Sequence, residues 1–86
     1  MQRALLFTGE PKSGKTTVAS LLARLPNVAR FTPESSNQEI ANFLHLERNG
    51  VVLMDELTPQ QLITQSARLR QLGLRHIHTV HLTKLD

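Results

Sequence analysis

The sequence predicts an α/β fold with a parallel sheet of three to four strands, and three observations carry that prediction. Two short apolar runs, RALLFT at 3–8 and VVLMD at 51–55, lack polar alternation, as strands covered on both faces do. Stretches with apolar residues at helical spacing follow each run. The resulting order, β-α-β-α-β-α-β with short connections, requires crossovers between parallel strands and places ligands beyond their carboxyl ends.

Arg3 to Thr8 is the first strand. Gly14 to Leu25 follows as a helix whose Val18, Leu21, Leu22 and Leu25 form one stripe, and Pro26 stops it because its ring cannot continue the ladder. Val28 to Thr32 reads as a short second strand. Ser36 and Glu39 make a capping-box signature for a second helix with Ile40, Phe43 and Leu44 on its apolar side, ended by Asn49-Gly50. Val51 to Asp55 is the next buried strand. Thr58-Pro59-Gln60-Gln61 then opens a third helix with a cap, a first-turn proline and a glutamine three residues on. Its expected inner side is Leu62, Ile63, Ser66, Leu69 and Leu72, with Arg68 pointing away, Arg70 at the border and Gly73 closing it. Arg75 to Leu82 is a last strand with mixed faces.

An 86-residue chain has room for one domain, taken as 1–86. The absence of cysteine excludes a disulfide scaffold and a Cys-ligated zinc module. No apolar run is long enough for a signal-peptide core or a bilayer span, so a soluble cytoplasmic protein without membrane attachment is expected. The net charge of +3 is uneven: residues 1–56 balance, whereas Leu57 to Leu85 carries Arg68, Arg70, Arg75 and Lys84 with no carboxylate. Such a basic C-terminal third suits a nucleic acid, and equally a solvated cationic face.

Gly9-Glu10-Pro11-Lys12-Ser13-Gly14-Lys15-Thr16 fits G-x-x-x-x-G-K-[ST] between a predicted strand and a predicted helix, the context this motif requires. A loop wrapped around phosphates aims successive backbone N–H groups inward, which glycine permits, and a helix start adds unpaired N–H groups. Lys15 is placed to bridge β- and γ-phosphates and the Thr16 hydroxyl to ligate Mg²⁺; Thr17, next in the helix, completes the binding set. Lys12 touches phosphate or is simply exposed. The run Val51 to Met54 delivers Asp55 and Glu56 at its end. Asp55 suits the metal shell, and Glu56 suits orienting and deprotonating an attacking water.

With these two motifs the chain resembles the P-loop NTPases over almost its whole length. The fold implied is a small three-layer α/β/α domain, truncated relative to the family. The Asp55-Glu56 pair is similar to the branch with an added catalytic glutamate, which includes AAA-type ATPases, RecA-like motors and many helicases. The short spacing between Lys15 and Asp55 is similar to superfamily 3 helicases. In that branch the strand after the acidic pair lies in mid-sheet, which would make Arg3–Thr8 an edge strand open to another chain, and ends in a polar γ-phosphate sensor. Thr83 or His81 would take that role here. An apolar edge of that kind, on so thin a core, implies a homo-oligomer or a partner protein.

The histidines at 76, 78 and 81 suit an edge strand better, as in the nucleotide-kinase and GTPase branch. They lack the further ligands that a metal site needs. A phosphate-contacting arginine would come from Arg70 first, then Arg48, with Arg68 and Arg75 also open. Phe7, Phe31 and Phe43 fall at core positions. Three functions follow: Mg-dependent ATP (or other NTP) hydrolysis in DNA or RNA handling, with Glu56, Lys15, Thr83 and Arg70 catalytic; a nucleotide or small-molecule kinase; and a non-hydrolysing nucleotide-binding module.

Overall fold

The computed structural model describes residues 1–9 and 20–82. Four parallel strands, β1 (Arg3–Gly9), β2 (Val28–Arg30), β3 (Val51–Leu57) and β4 (His76–Leu82), form one sheet in the order β2-β3-β1-β4. Two helices are described in full, α1 (Asn37–Leu46) and α2 (Pro59–Gln71). Residues 20–22 are also helical, and turns occupy 23–27. This is the expected small α/β domain.

The sheet order corrects one expectation. β4 does not lie between β1 and β3; among the described residues it pairs only with β1, at the outside, while β1 sits between β3 and β4. Polarity explains the position. His76, His78, Thr79 and His81 are exposed, and a strand carrying four such side chains loses least where one flank stays in water. Conversely, Ala4, Leu6 and Phe7 of β1 are buried. The apolar edge that argued for self-association through Arg3–Thr8 is therefore absent.

Local signals set the helix ends. Ser36 Oγ accepts from the Glu39 N–H at 3.1 Å to start α1. The helix stops at Leu46, with Glu47 as cap, before Asn49-Gly50. Gly50 is needed for space: a Cβ there would lie 3.0 Å from both Glu47 Cβ and Phe43 Cε2. At α2, Thr58 and Gln61 form the full capping box, with bonds of 3.1 and 3.0 Å. Gly73, at φ +103°, closes α2 in a Schellman motif: Gly73 N–H bonds Arg70 O at 3.1 Å and Leu74 N–H bonds Leu69 O at 3.0 Å. Leu69 and Leu74, both fully buried, supply its apolar contact.

Two apolar clusters flank the sheet. Ala4, Leu6, Val52, Met54 and Leu57 pack with Ile40 and Leu44 of α1 and Leu69 of α2; alternate residues Leu5, Phe7, Leu53 and Val80 pack with Leu22. Phe31 and Phe43 border the first cluster with ring centroids 5.7 Å apart.

Several sequence expectations for side chains are overturned. Leu21 and Leu25 are 56% and 50% exposed; the helical backbone ends at residue 22, so Leu25 falls outside the stripe. Ile63 is 72% exposed, and the inner side of α2 is instead Leu62, Gln65, Leu69 and Leu72. Arg68 is no free cation either. Its guanidinium donates to Asn37 Oδ1 at 2.5 Å, Gln65 Oε1 at 2.8 Å, Pro33 O at 3.4 Å and Ser35 O, clamping α2 to the segment that enters α1.

Candidate functional site

β1 and β3 are neighbours whose connections leave in opposite directions. From β1 the chain passes to β2 beyond β3, and from β3 it passes through α2 to β4 on the far side of β1. Adjacent parallel strands that part in this way open a crevice beyond their carboxyl ends, where ligands of α/β sheets bind. Gly9 ends β1 at this crevice, and Asp55 and Glu56 lie in the last turn of β3 beside it, between the paired positions Leu6↔Met54 and Thr8↔Leu57.

That register contains a bulge. One residue of β1, Phe7, faces two of β3, Asp55 and Glu56. Strict alternation would put Glu56 on the face of Val52 and Met54, under the helices. The extra residue instead brings Leu57 to that face, 3% exposed, and turns Glu56 out to solvent. The local backbone is left-handed at Glu56, φ +59°, the sole non-glycine with positive φ among the described residues. Such a conformation costs roughly 1–2 kcal/mol for an L-residue. Strain of this kind concentrates where a side chain must be aimed.

Asp55 is nearly covered, its side chain 13% exposed, and its Oδ2 accepts from Arg30 Nη2 at 2.9 Å. Arg30 ends β2 in register with Leu53, so its side chain lies on the same face as Asp55 two residues on. The sequence reading missed Arg30. The signal was a cation closing a short strand, which means something only once β2 is known to lie beside β3. On the other flank Thr8, 8% exposed, shares a hydrogen bond of 2.9 Å with His81 Nδ1 across β1 and β4. His81, one of the two expected sensors, is thus tied to the residue before Gly9.

Glu10, Pro11, Lys12, Ser13, Gly14, Lys15, Thr16 and Thr17 lie outside the described residues, as do Thr83 and Lys84. Arg70 sits in the last turn of α2, exposed beside Thr79. That helix starts at the Asp55 end of the sheet and runs away from it, so Arg70 lies away from the crevice. Arg48 lies in the turn after α1, next to Pro26 and Asn27 and before the start of β3, at the opposite end from the crevice.

Among the described residues no group of three or more His, Asp or Glu side chains is placed to hold a metal. Mg²⁺ does not require one, since it is commonly held by one or two protein oxygens plus substrate phosphates and water. The largely buried Asp55 carboxylate, beside the end of β1, fits that donor set. No helix of the described residues is long and apolar enough to cross a membrane. No protein-family model matches the chain, and no curated protein matches it.

Proposed function

We propose that the chain binds a magnesium nucleoside triphosphate in the crevice beyond β1 and β3 and transfers its γ-phosphoryl group. One observation carries this reading: β1, which leads into the G-x-x-x-x-G-K-T sequence, pairs directly with β3, which ends in Asp55-Glu56. Backbone amides of residues 9–16, with Lys15, hold the phosphates. Asp55 and Thr16 would hold Mg²⁺, which when bound neutralises charge on the β- and γ-oxygens. Glu56 takes the proton of the attacking hydroxyl as a new P–O bond forms and the bond to the β-phosphate oxygen breaks. The domain is then a three-layer P-loop NTPase, its third layer begun by the helix that contributes Leu22.

Two acceptors compete. Water makes the protein an NTPase, probed through Glu56. A hydroxyl or phosphate of a small molecule makes it a kinase, and the edge position of β4 supports this second reading, since mid-sheet placement belongs to the glutamate-bearing branch. Coupling to nucleic acid draws less support than the charge count gave, because Arg68 is spent on internal hydrogen bonds. Thr83 as γ-phosphate sensor, Arg70 acting from a second subunit, and a cytoplasmic setting remain parts of the hydrolytic reading.

The test is calorimetric titration with Mg-ATP and Mg-GTP, followed by phosphate release and an acceptor scan. Lys15→Ala should abolish nucleotide binding. Glu56→Gln should retain binding and lose turnover. Binding that survives Lys15→Ala would remove the phosphate-loop reading altogether. Binding without release or transfer for the parent chain would leave a nucleotide-binding module. A flat dependence of DNA affinity on salt would dispose of the nucleic-acid partner.

A further inference from the structure

We propose that the outer edge of β4, with the groove along α2, is a docking surface for an acidic, extended segment of a partner protein that adds to the sheet as its next strand. The surface lies apart from the Asp55 crevice, and its argument is independent of nucleotide binding. β4 pairs with β1 through seven consecutive positions, Arg3↔His76 to Gly9↔Leu82, with no register shift. Among the described residues no strand covers its other side. Natural sheet edges are usually blunted by proline, lysine, a bulge or shortness; His76–Leu82 has none of these.

A second observation lies beside this edge. Leu62, Ile63, Ser66, Ala67 and Arg70 of α2 line, with Thr79 of β4, a shallow groove of about 590 Å³. Ile63, 72% exposed, is the exposed large apolar side chain of that helix, on the flank that Leu62 and Leu69 leave uncovered. An extended segment on β4 would pair with the backbone groups that no described strand covers, and its side chains on one face would enter this groove. Main-chain bonds then give affinity, and the groove gives selectivity.

Charge selects the occupant. Between Thr58 and Leu82 there is no Asp or Glu, while Arg70 borders the groove and Arg75 precedes the strand, both exposed. A second copy would bring this same face, which holds no Asp or Glu between 58 and 82, and so would offer Arg70 and Arg75 no carboxylate. A segment alternating apolar residues with carboxylates meets both the groove and the cations.

The experiment is selection of a random linear peptide library on the whole chain. Selected peptides are then measured by fluorescence anisotropy against the parent, Ile63→Glu and Arg70→Glu, both surface substitutions that leave the core intact. Expected are peptides mixing β-branched residues with Asp or Glu, binding at least about tenfold weaker to either variant, and slowed amide exchange over 76–82 on binding. Selection that yields no binder, binders without carboxylates, or binders indifferent to both substitutions would overturn the proposal. So would sedimentation showing a dimer of the parent chain that Ile63→Glu dissociates, which would make a second copy the occupant.

Discussion

Glu56 offers a test of the site geometry that needs no ligand. Its φ of +59° is a conformation that glycine enters freely and alanine does not. Comparing Glu56→Gly with Glu56→Ala removes the same carboxylate, and every contact it makes, from both variants. The difference between them isolates the backbone. At an ordinary strand position alanine is the more stable by roughly 0.5–1 kcal/mol, through the chain entropy that glycine loses. At a left-handed position alanine carries a penalty of about 1–2 kcal/mol that glycine escapes. The two terms oppose, and the second is larger, so glycine should exceed alanine by about 1 kcal/mol. For a domain of this length that separates the melting temperatures by roughly 4–8 °C. Urea unfolding of both variants, with equal m-values, reads the difference directly. An alanine variant as stable as the glycine variant, or more so, would mean that β3 runs without the bulge. The outward turn of Glu56 at the end of β3 would then have no basis.

Three further outcomes are expected. Arg68→Lys keeps the charge but loses the planar fork that serves four acceptors; stability should fall by about 2 kcal/mol, read as a lower urea midpoint. Gly50→Ala drives a methyl to 3.0 Å from Phe43 Cε2, and overpacking of this kind costs about 1–3 kcal/mol, measurable as a lowered thermal midpoint. Arg30→Met releases the Asp55 carboxylate from an ion pair worth up to about 1 kcal/mol, so Mg-ATP affinity in calorimetry should rise by up to about fivefold. Weaker binding instead would assign Arg30 a contact with the nucleotide.

Where a residue's role is local, the sequence was a sound guide. The Thr58/Gln61 box, the Gly73 closure of α2 and the Ser36 cap each depend on neighbours within a few positions. Their chemistry is therefore written in adjacent letters. The runs at 3–8 and 51–55 identified the two central strands for a similar reason: burial on both faces leaves no position for polar residues. Ile63 and Leu25 escaped the same reasoning. Helical spacing defines a stripe, but its edges depend on which neighbour covers it. Arg68 misled because a guanidinium reaches acceptors on a segment more than thirty residues away.

The sequence by itself determined the strands and the ends of α1 and α2, since each follows from nearest-neighbour sterics or from hydrophobic period. Only the tertiary structure decided that β3 lies directly against β1 and that β4 takes the outside. It alone also decided that a bulge rotates Glu56 outward while Leu57 closes the core, and that Arg30 meets Asp55. Strand order and register are set by the fit of whole faces against the helices, a sum over distant side chains that no short stretch of the chain encodes.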